Sequence, residues 1–220
     1  MKKLLLSIFL LGIGTSLLAQ EKSAKNWYSV SASETILSFG SVENNGSDLS
    51  NVVRFSPVIN FGYHLHRDFS EKAGFYTGFS VRNVGMINDV NDSIRVKQRV
   101  YTLGIPVALK FGDMKGNQGA IGFENEFALN YKQKVYLNDA KSKSNIWFSD
   151  RTKIYLPSVF VEFKGKQGNY VRFKYYLTDF LEPNNQKLNI PGVVYAPTQS
   201  TLFYVSTGLM LKNLEIYKKN

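Results

Sequence analysis

The feature of this sequence that most constrains its fold is an alternation of apolar and polar residues with a period of two. Between Tyr101 and Phe111 every odd position is apolar, whereas the even positions carry Thr, Gly, Pro, Ala and Lys. Such an alternation is typical of a β-strand with one apolar face. The same pattern predicts eight strands, at about residues 27–39, 53–65, 75–82, 101–111, 120–132, 155–164, 171–178 and 203–212.

The residue types on the two faces indicate which solvent each face meets. The polar face is rich in Gly, Ala, Ser and Thr, mixed with Arg, Lys and Glu. A water-facing surface does not need such small residues, whereas the crowded inside of a narrow barrel does. The apolar face carries bulky residues with aromatic residues at the strand ends, which suits lipid. We therefore predict an all-β, eight-stranded antiparallel up-and-down transmembrane β-barrel; a soluble exported β-protein is the alternative.

The N-terminal residues have the pattern of a secretory signal peptide. Lys2 and Lys3 precede an apolar stretch that ends in Leu18-Ala19, and polar residues follow. This predicts a signal peptide at 1–19 and a barrel domain at 20–220, with an N-terminal membrane anchor as the alternative. Cleavage would remove two lysines and no acid, lowering the formal charge from +10 to +8. The absence of cysteine excludes disulfides, thiolate metal sites and a cysteine nucleophile.

The lengths of the predicted connections alternate along the chain. Those at 66–72, 112–119 and 165–168 are short, whereas those at 41–50, 87–93, 133–151 and 179–199 are longer. Outer-membrane barrels have short periplasmic turns and long extracellular loops. An even number of strands then places both ends of the mature chain in the periplasm of a Gram-negative bacterium. The 179–199 segment, with three prolines, is interpreted as an ordered lid or a partner-binding arm.

Charged residues on the inward face are the main candidates for a functional site. Unpaired charge inside a narrow barrel is costly, so we predict that these residues form salt bridges that plug the lumen. If the even-numbered residues of both the sixth and the seventh strand face inward, the hairpin between these strands places Glu162 beside Arg172. A charged conduit or a binding site is the alternative. The predicted network comprises Arg54, Arg82, Glu124, Glu126, Glu162, Arg172 and Lys174, with Lys110, Lys132, Lys164 and Lys212 also on the inward face.

No combination of residues predicts an enzyme. His64 and His66 share a face, as a metal or proton-transfer pair would, but rim histidines in contact with water are the simpler interpretation. No nucleophile, base and acid come together, and Glu124 and Glu126 have basic neighbours that favour counter-ions over glycosidase carboxylates. We predict no cofactor and no metal.

The positive charge has several interpretations. Nucleic-acid binding lacks a supporting motif, whereas the phosphates of lipopolysaccharide are natural partners for Lys and Arg near the rims. An acidic outer-membrane or periplasmic protein would fit equally. The 133–151 segment interleaves basic and aromatic residues, and it is expected to lie at the lipid headgroups or to bind a surface ligand. Its candidate contact residues are Tyr136, Trp147, Phe148 and Arg151.

Two stretches resemble a known family. Residues 101–112, YTLGIPVALKFG, resemble the "Y-x-x-I-P" strand of the Bacteroidota outer-membrane β-barrel family, and residues 78–85 resemble the strand before it. That family includes PorT-like proteins and is similar in architecture to OmpA and OmpX. The resemblance implies a non-enzymatic structural or accessory subunit of an outer-membrane complex, with a role related to type IX secretion. A small-molecule transporter and a lipid-modifying enzyme are the alternatives.

Two features depart from the pattern of such barrels. The chain continues to Tyr217 and beyond, where many barrels end on an aromatic residue. Pro57, Pro106 and Pro157 lie inside predicted strands, where proline removes a hydrogen bond from the ladder. Their recurrence in alternate strands predicts bulges or an internal hairpin duplication.

Overall fold

Eight antiparallel strands pair edge to edge into a closed ring. This is a computed structural model, which describes residues 27–138, 140–188, 190 and 193–215. The predicted signal peptide at 1–19 and Tyr217 lie outside these residues. The alternating burial along the strands follows the period of two in the sequence, so the predicted fold class is confirmed.

The ring is built from long strands whose order follows the chain. β1 pairs with both β12 and β5, which closes the barrel, and β8 pairs with β10. β4 and β5 together form the second barrel strand, while β9 lies outside the ring and pairs with β8. The strands are β1 (Tyr28–Asn44), β2 (Ser47–Asp48), β3 (Ser50–Val52), β4 (Arg54–Ser56), β5 (Phe61–Asp68), β6 (Ala73–Asn91), β7 (Ile94–Gly112), β8 (Gln118–Leu137), β9 (Ala140–Trp147), β10 (Tyr155–Lys164), β11 (Asn169–Tyr176) and β12 (Pro197–Glu215).

The two ends of the barrel differ. At one, here called the turn end, residues 69–72, 113–117 and 165–168 make three short connections, and β1 begins there. The opposite, loop end carries the longer connections, as the sequence predicts. However, the predicted loops at 87–93 and 133–151 are largely strand, because apolar and polar residues continue to alternate through Val96 and Val100. β6 to β9 therefore extend past the other strands as a projecting sheet.

A bulge in β8 changes which side chains face the lumen. Tyr101 pairs with Asn130 and Thr102 with Ala128, so Leu129 is an extra residue in the ladder. Even-numbered residues of β8 face inward before this point and odd-numbered ones after it. Lys132 consequently faces outward, and its predicted place in the interior is wrong.

The three strand prolines have different surroundings. Pro57 lies in the break between β4 and β5, where five residue steps from Ser56 to Phe61 oppose three steps of β1. Pro106 and Pro157 stay in register with β8. The bulge predicted from these prolines is therefore present only at Pro57.

The apolar core lies at the loop end, inside the barrel. Val84, Met86, Val100 and Leu202 pack there with residues from the connection between β11 and β12. That connection contains a short 3-10 helix, Pro183–Asn185, and it folds back over the opening. Its buried apolar residues are Phe180, Leu181, Leu188 and Tyr195. No helix within the described ranges is long and apolar enough to cross a membrane.

Candidate functional site

The outer surface of the barrel is a continuous band of exposed apolar side chains. Along β7 every outward residue from Leu103 to Phe111 is exposed and apolar. An exposed apolar surface this extensive is typical of a face in contact with lipid. The same band includes Phe61, Phe79, Ile121, Phe123, Val159, Phe173, Leu177 and Leu209.

Aromatic residues border this band at both ends. Near the turn end Phe75 packs against Trp27 and Phe69, with ring centroids 5.3 and 5.5 Å apart. Tyr101 lies ten residues along β7 from Phe111. At about 3.3 Å per residue and a tilt of about 40°, that span is roughly 25 Å, the height of the apolar band of outer-membrane barrels.

The lumen contains a layer of buried ion pairs centred on Glu124. Its carboxylate contacts Arg82, Lys174 and Ser80. The Lys174 ammonium also donates to Glu126, with an Nζ–Oε1 distance of 2.6 Å. β6, β8 and β11 supply these charged residues from different sides of the ring, so the ion pairs cross the lumen.

A second group of ion pairs adjoins the first through Glu34. Arg82 Nε lies 2.5 Å from Glu34 Oε1, and Arg172 Nη1 lies 3.4 Å from the same atom. Arg172 also binds Glu162, directly opposite it in the register, at 2.6 Å. The sequence analysis missed Glu34, because the alternation of β1 is weak and its parity was not assigned. Its signal is the even-numbered position that it shares with buried Ala32 and Ile36.

This network carries nearly balanced charge. Three cations, Arg82, Arg172 and Lys174, adjoin four carboxylates, so the formal sum is +3 − 4 = −1. Hydroxyl groups of Thr102, Tyr176 and Ser206 donate to the same carboxylates. Every charged member is at most 6% exposed, so these ion pairs are buried away from water.

Arg54 lies apart from this network, contrary to the prediction. Its guanidinium donates to the backbone and side-chain oxygens of Asn83, at 2.9 and 2.6 Å. Its Nε has no hydrogen-bond partner in the described part of the chain, although the side chain is buried. It is therefore a buried arginine without a carboxylate within salt-bridge distance among those residues.

The two histidines are buried inside the barrel, contrary to their interpretation as rim residues. Their rings stack on Tyr76, with centroid distances of 5.0 Å for His64 and 4.7 Å for His66. Both nitrogens of His64 lack hydrogen-bond partners in the described residues. Within the described ranges, no group of three or more His, Asp or Glu residues is placed so that it could hold a metal ion.

A vestibule of about 840 Å³ opens at the turn end. At its floor, Lys110 Nζ binds Asp68 at 2.5 Å and the Tyr28 hydroxyl at 2.9 Å. Beyond them lie the stacked histidines and then the ion pairs. Lys164 and Lys212 line this vestibule rather than the lumen.

The four candidate contact residues of the 133–151 segment are not brought together. Trp147 and Phe148 are each 65% exposed, with centroids 6.4 Å apart, close to the level of Asn130 and the aromatic border. Tyr136 lies near the far end of the projecting sheet, with Lys141 Nζ 5.2 Å from its ring centroid. Arg151 instead donates to Gln133 at 2.7 Å, within the loop end.

Comparisons with solved structures return small barrels. The attachment invasion locus protein Ail of Yersinia pestis has a TM-score of 0.39 at 8% identity, over 85% of this chain and 99% of that one. Neisserial surface protein A has a TM-score of 0.41 at 12% identity, over 87% and 100%. For OprG from Pseudomonas aeruginosa the values are 0.36 and 10%, over 86% and 97%. No known family and no curated protein matches the sequence.

Proposed function

We propose that this chain is an integral outer-membrane β-barrel that is sealed to diffusion. In this proposal it serves as a structural or accessory subunit of an outer-membrane complex. The single observation that carries the proposal is the layer of ion pairs around Glu124, which crosses the lumen with all its charges buried. A conducting pore needs water along its axis, and this layer is packed with side chains that bind one another.

The exterior supports the membrane placement. Its apolar band is about as tall as that of known outer-membrane barrels, and aromatic residues border it on both sides. With a signal peptide at residues 1–19 removed, the turn end and both mature termini would face the periplasm. The loop end and the projecting sheet would then face the outside.

An accessory role fits a sealed barrel better than transport or catalysis. The charged side chains that form the ion pairs of the lumen bind one another, so these groups are not free to act on a substrate. What remains for function is the projecting sheet, the lipid-facing wall and the vestibule at the turn end. A role related to type IX secretion is one form of this proposal, supported by the resemblance of residues 78–85 and 101–112.

A pull-down from native outer membranes in mild detergent tests the accessory role. The tagged protein is compared with an unrelated small barrel carrying the same tag, to subtract proteins that share only the membrane. We expect stoichiometric recovery of one or more outer-membrane or periplasmic proteins. Recovery of this barrel alone would show that it is not a stable subunit of such a complex.

A further inference from the structure

The barrel wall has a seam between β4 and β6. β5 pairs with β6 as far as Phe61 and Val81, and β3 resumes the pairing at Val52 and Ile87. Between these points β4 bonds to β1 instead. In the described residues, the β6 edge near Asn83 is therefore paired with side chains rather than with a neighbouring strand.

Three side chains fill the seam. Arg54 Nη1 and Ser56 Oγ donate to the backbone carbonyl oxygen of Asn83, at 2.9 and 3.0 Å. The backbone N–H of Asn83 donates to Asn60 Oδ1 at 2.8 Å. These bonds satisfy the backbone of Asn83 but leave a recess on the outer wall, because side chains do not fill space as a strand does.

The recess is a crevice of about 100 Å³ with two different sides. Phe55, Pro57 and Val58 form an apolar side, and Phe55 and Val58 are exposed and continuous with the apolar band. The other side is basic. We call it the outer-wall basic cluster, and its members are Lys97, Arg99, Lys132 and Lys134.

The members of this cluster face one another across β7 and β8. Arg99 is directly opposite Lys132, and Lys97 is directly opposite Lys134. Like charges in such positions repel, so the arrangement is unfavourable without a counter-ion. Within the described ranges none of the four forms a salt bridge, and the nearby Asp89 is bound to Arg95 at 2.6 Å.

Burial and neighbouring cations act on two members of the cluster. The pKa of Lys97 is lowered by burial and then by Arg54, Lys134 and Arg99. The pKa of Lys134 is lowered by burial and by Lys141. Arg54 adds a buried cation to the lining of the crevice, and its Nε lacks a partner in the described residues.

The height of the cluster on the wall indicates what it binds. Arg99 is the next outward residue of β7 after Tyr101, so the cluster begins where the apolar band ends. Lipid phosphates lie at this level, with acyl chains alongside the band below. A small free anion would explain the cations but not the apolar side of the same crevice.

We propose that this crevice binds a phosphorylated lipid of the outer leaflet, with its phosphates on the outer-wall basic cluster and an acyl chain along Phe55 and Val58. Four cations suit a headgroup with two phosphates, as in lipid A, better than a singly charged phospholipid. The inference rests on the membrane placement proposed above and goes beyond it by assigning a lipid and a site. It does not depend on the accessory role.

The test uses the full barrel in phosphatidylcholine nanodiscs that contain a minor fraction of bisphosphorylated lipid A. Lipid A retained after extraction into detergent is counted by native mass spectrometry, and an affinity is obtained by titration. The variant is Lys97→Gln/Arg99→Gln/Lys132→Gln/Lys134→Gln. The matched control, Lys72→Gln/Lys115→Gln/Lys166→Gln/Lys187→Gln, removes the same charge from exposed positions elsewhere.

We expect the wild type and the control to retain lipid A, and the variant to bind it more weakly by a factor of at least about one hundred. Each basic side chain beside an anionic lipid surface contributes roughly a fivefold gain, so the loss of four exceeds that value. Dephosphorylated lipid A is expected to bind as weakly to the wild type as bisphosphorylated lipid A binds to the variant.

Three results would overturn this inference. Equal losses in the variant and the control would show that only net charge matters. Equal binding of dephosphorylated lipid A would exclude phosphate recognition, and full displacement of lipid A by inorganic phosphate would assign the crevice to a free anion. Failure of the wild type to insert into nanodiscs would instead contradict the membrane placement itself, so the two failures are distinguishable.

Discussion

Glu124 is the residue on which the interior depends most directly. Its carboxylate binds Arg82 and Ser80 of β6 and Lys174 of β11, and no part of it is exposed. Desolvation makes each of these charges costly unless the others are present. Each charged side chain of this layer therefore depends on the others for its stability.

The substitution Glu124→Gln is expected to lower the free energy of unfolding by about 3–5 kcal/mol, since Arg82 and Lys174 would each lose a buried ion pair while staying inside the barrel. Urea unfolding of the barrel in lipid vesicles measures this change. Glu182→Gln is the control, because Glu182 forms a partly exposed pair with Lys153 at 2.9 Å, and pairs of that kind contribute at most about 1 kcal/mol. Equal effects of the two substitutions would contradict the role given to the buried layer.

At the residue scale, the alternation of odd- and even-numbered positions along the strands predicts many of the residues of this site. It places Glu162 opposite Arg172, and the register contains the same pair. It fails for Lys132, since the bulge at Leu129 reverses the faces of β8, and nothing in the local composition marks that bulge. It also misses Glu34, because β1 carries small or apolar residues on both faces.

At the element scale, the main difference from the sequence prediction is the length of β6 to β9. The sequence analysis assigned residues 87–93 and 133–151 to loops, whereas the strands continue past the apolar band and turn tightly at residues 92–93 and at Asn138. Polar residues on the outer face of this extension resemble those of a loop in composition. Only the inward face, with Val96, Gln98 and Val100, retains the strand pattern.

Cysteine labelling checks the orientation of these elements without interference, because the chain has no cysteine of its own. Ser142→Cys, on exposed β9, is expected to react with a membrane-impermeant maleimide on intact cells. Lys115→Cys, in a turn-end connection, is expected to react only after the outer membrane is permeabilised. The reverse pattern would show that the loop end faces the periplasm.

The described residues of the connection between β11 and β12 cover the loop end above the ion pairs. Phe180 is fully buried, and the hydroxyl of Tyr195 donates to Gln98 at 2.9 Å. The sequence analysis offered an ordered lid as one interpretation of the 179–199 segment, and the described residues of this segment cover the loop end.

Phe180→Ala is expected to lower the free energy of unfolding by about 3–5 kcal/mol, because it leaves a cavity in the loop-end core. It should not open the barrel, since the ion pairs around Glu124 lie below it. Phe148→Ala, at an exposed position, is the matched control for stability. Ion flux through vesicles containing Phe180→Ala would show that the lid is the only seal.

At the scale of the whole molecule, the chain is a barrel with an apolar outside and a charged, self-paired inside. The alternation of residues predicts that arrangement and the number of strands, because both follow from a period of two. The seam at Asn83 and the crevice beside it were not predicted. They depend on the break at Pro57, where β4 pairs with β1 while β5 and β3 pair with separate parts of β6. Local sequence patterns do not specify such pairing.

The most direct test of the sealed-barrel account is the conductance of the wild-type protein in planar lipid bilayers. A porin of known conductance, refolded and inserted in the same way, shows that channels are detectable. Insertion of this barrel is verified separately by protection from protease. The account predicts inserted protein without stepwise current. Regular current steps from the wild type would contradict it, because they require a continuous water path through the layer held by Glu124, Arg82 and Lys174.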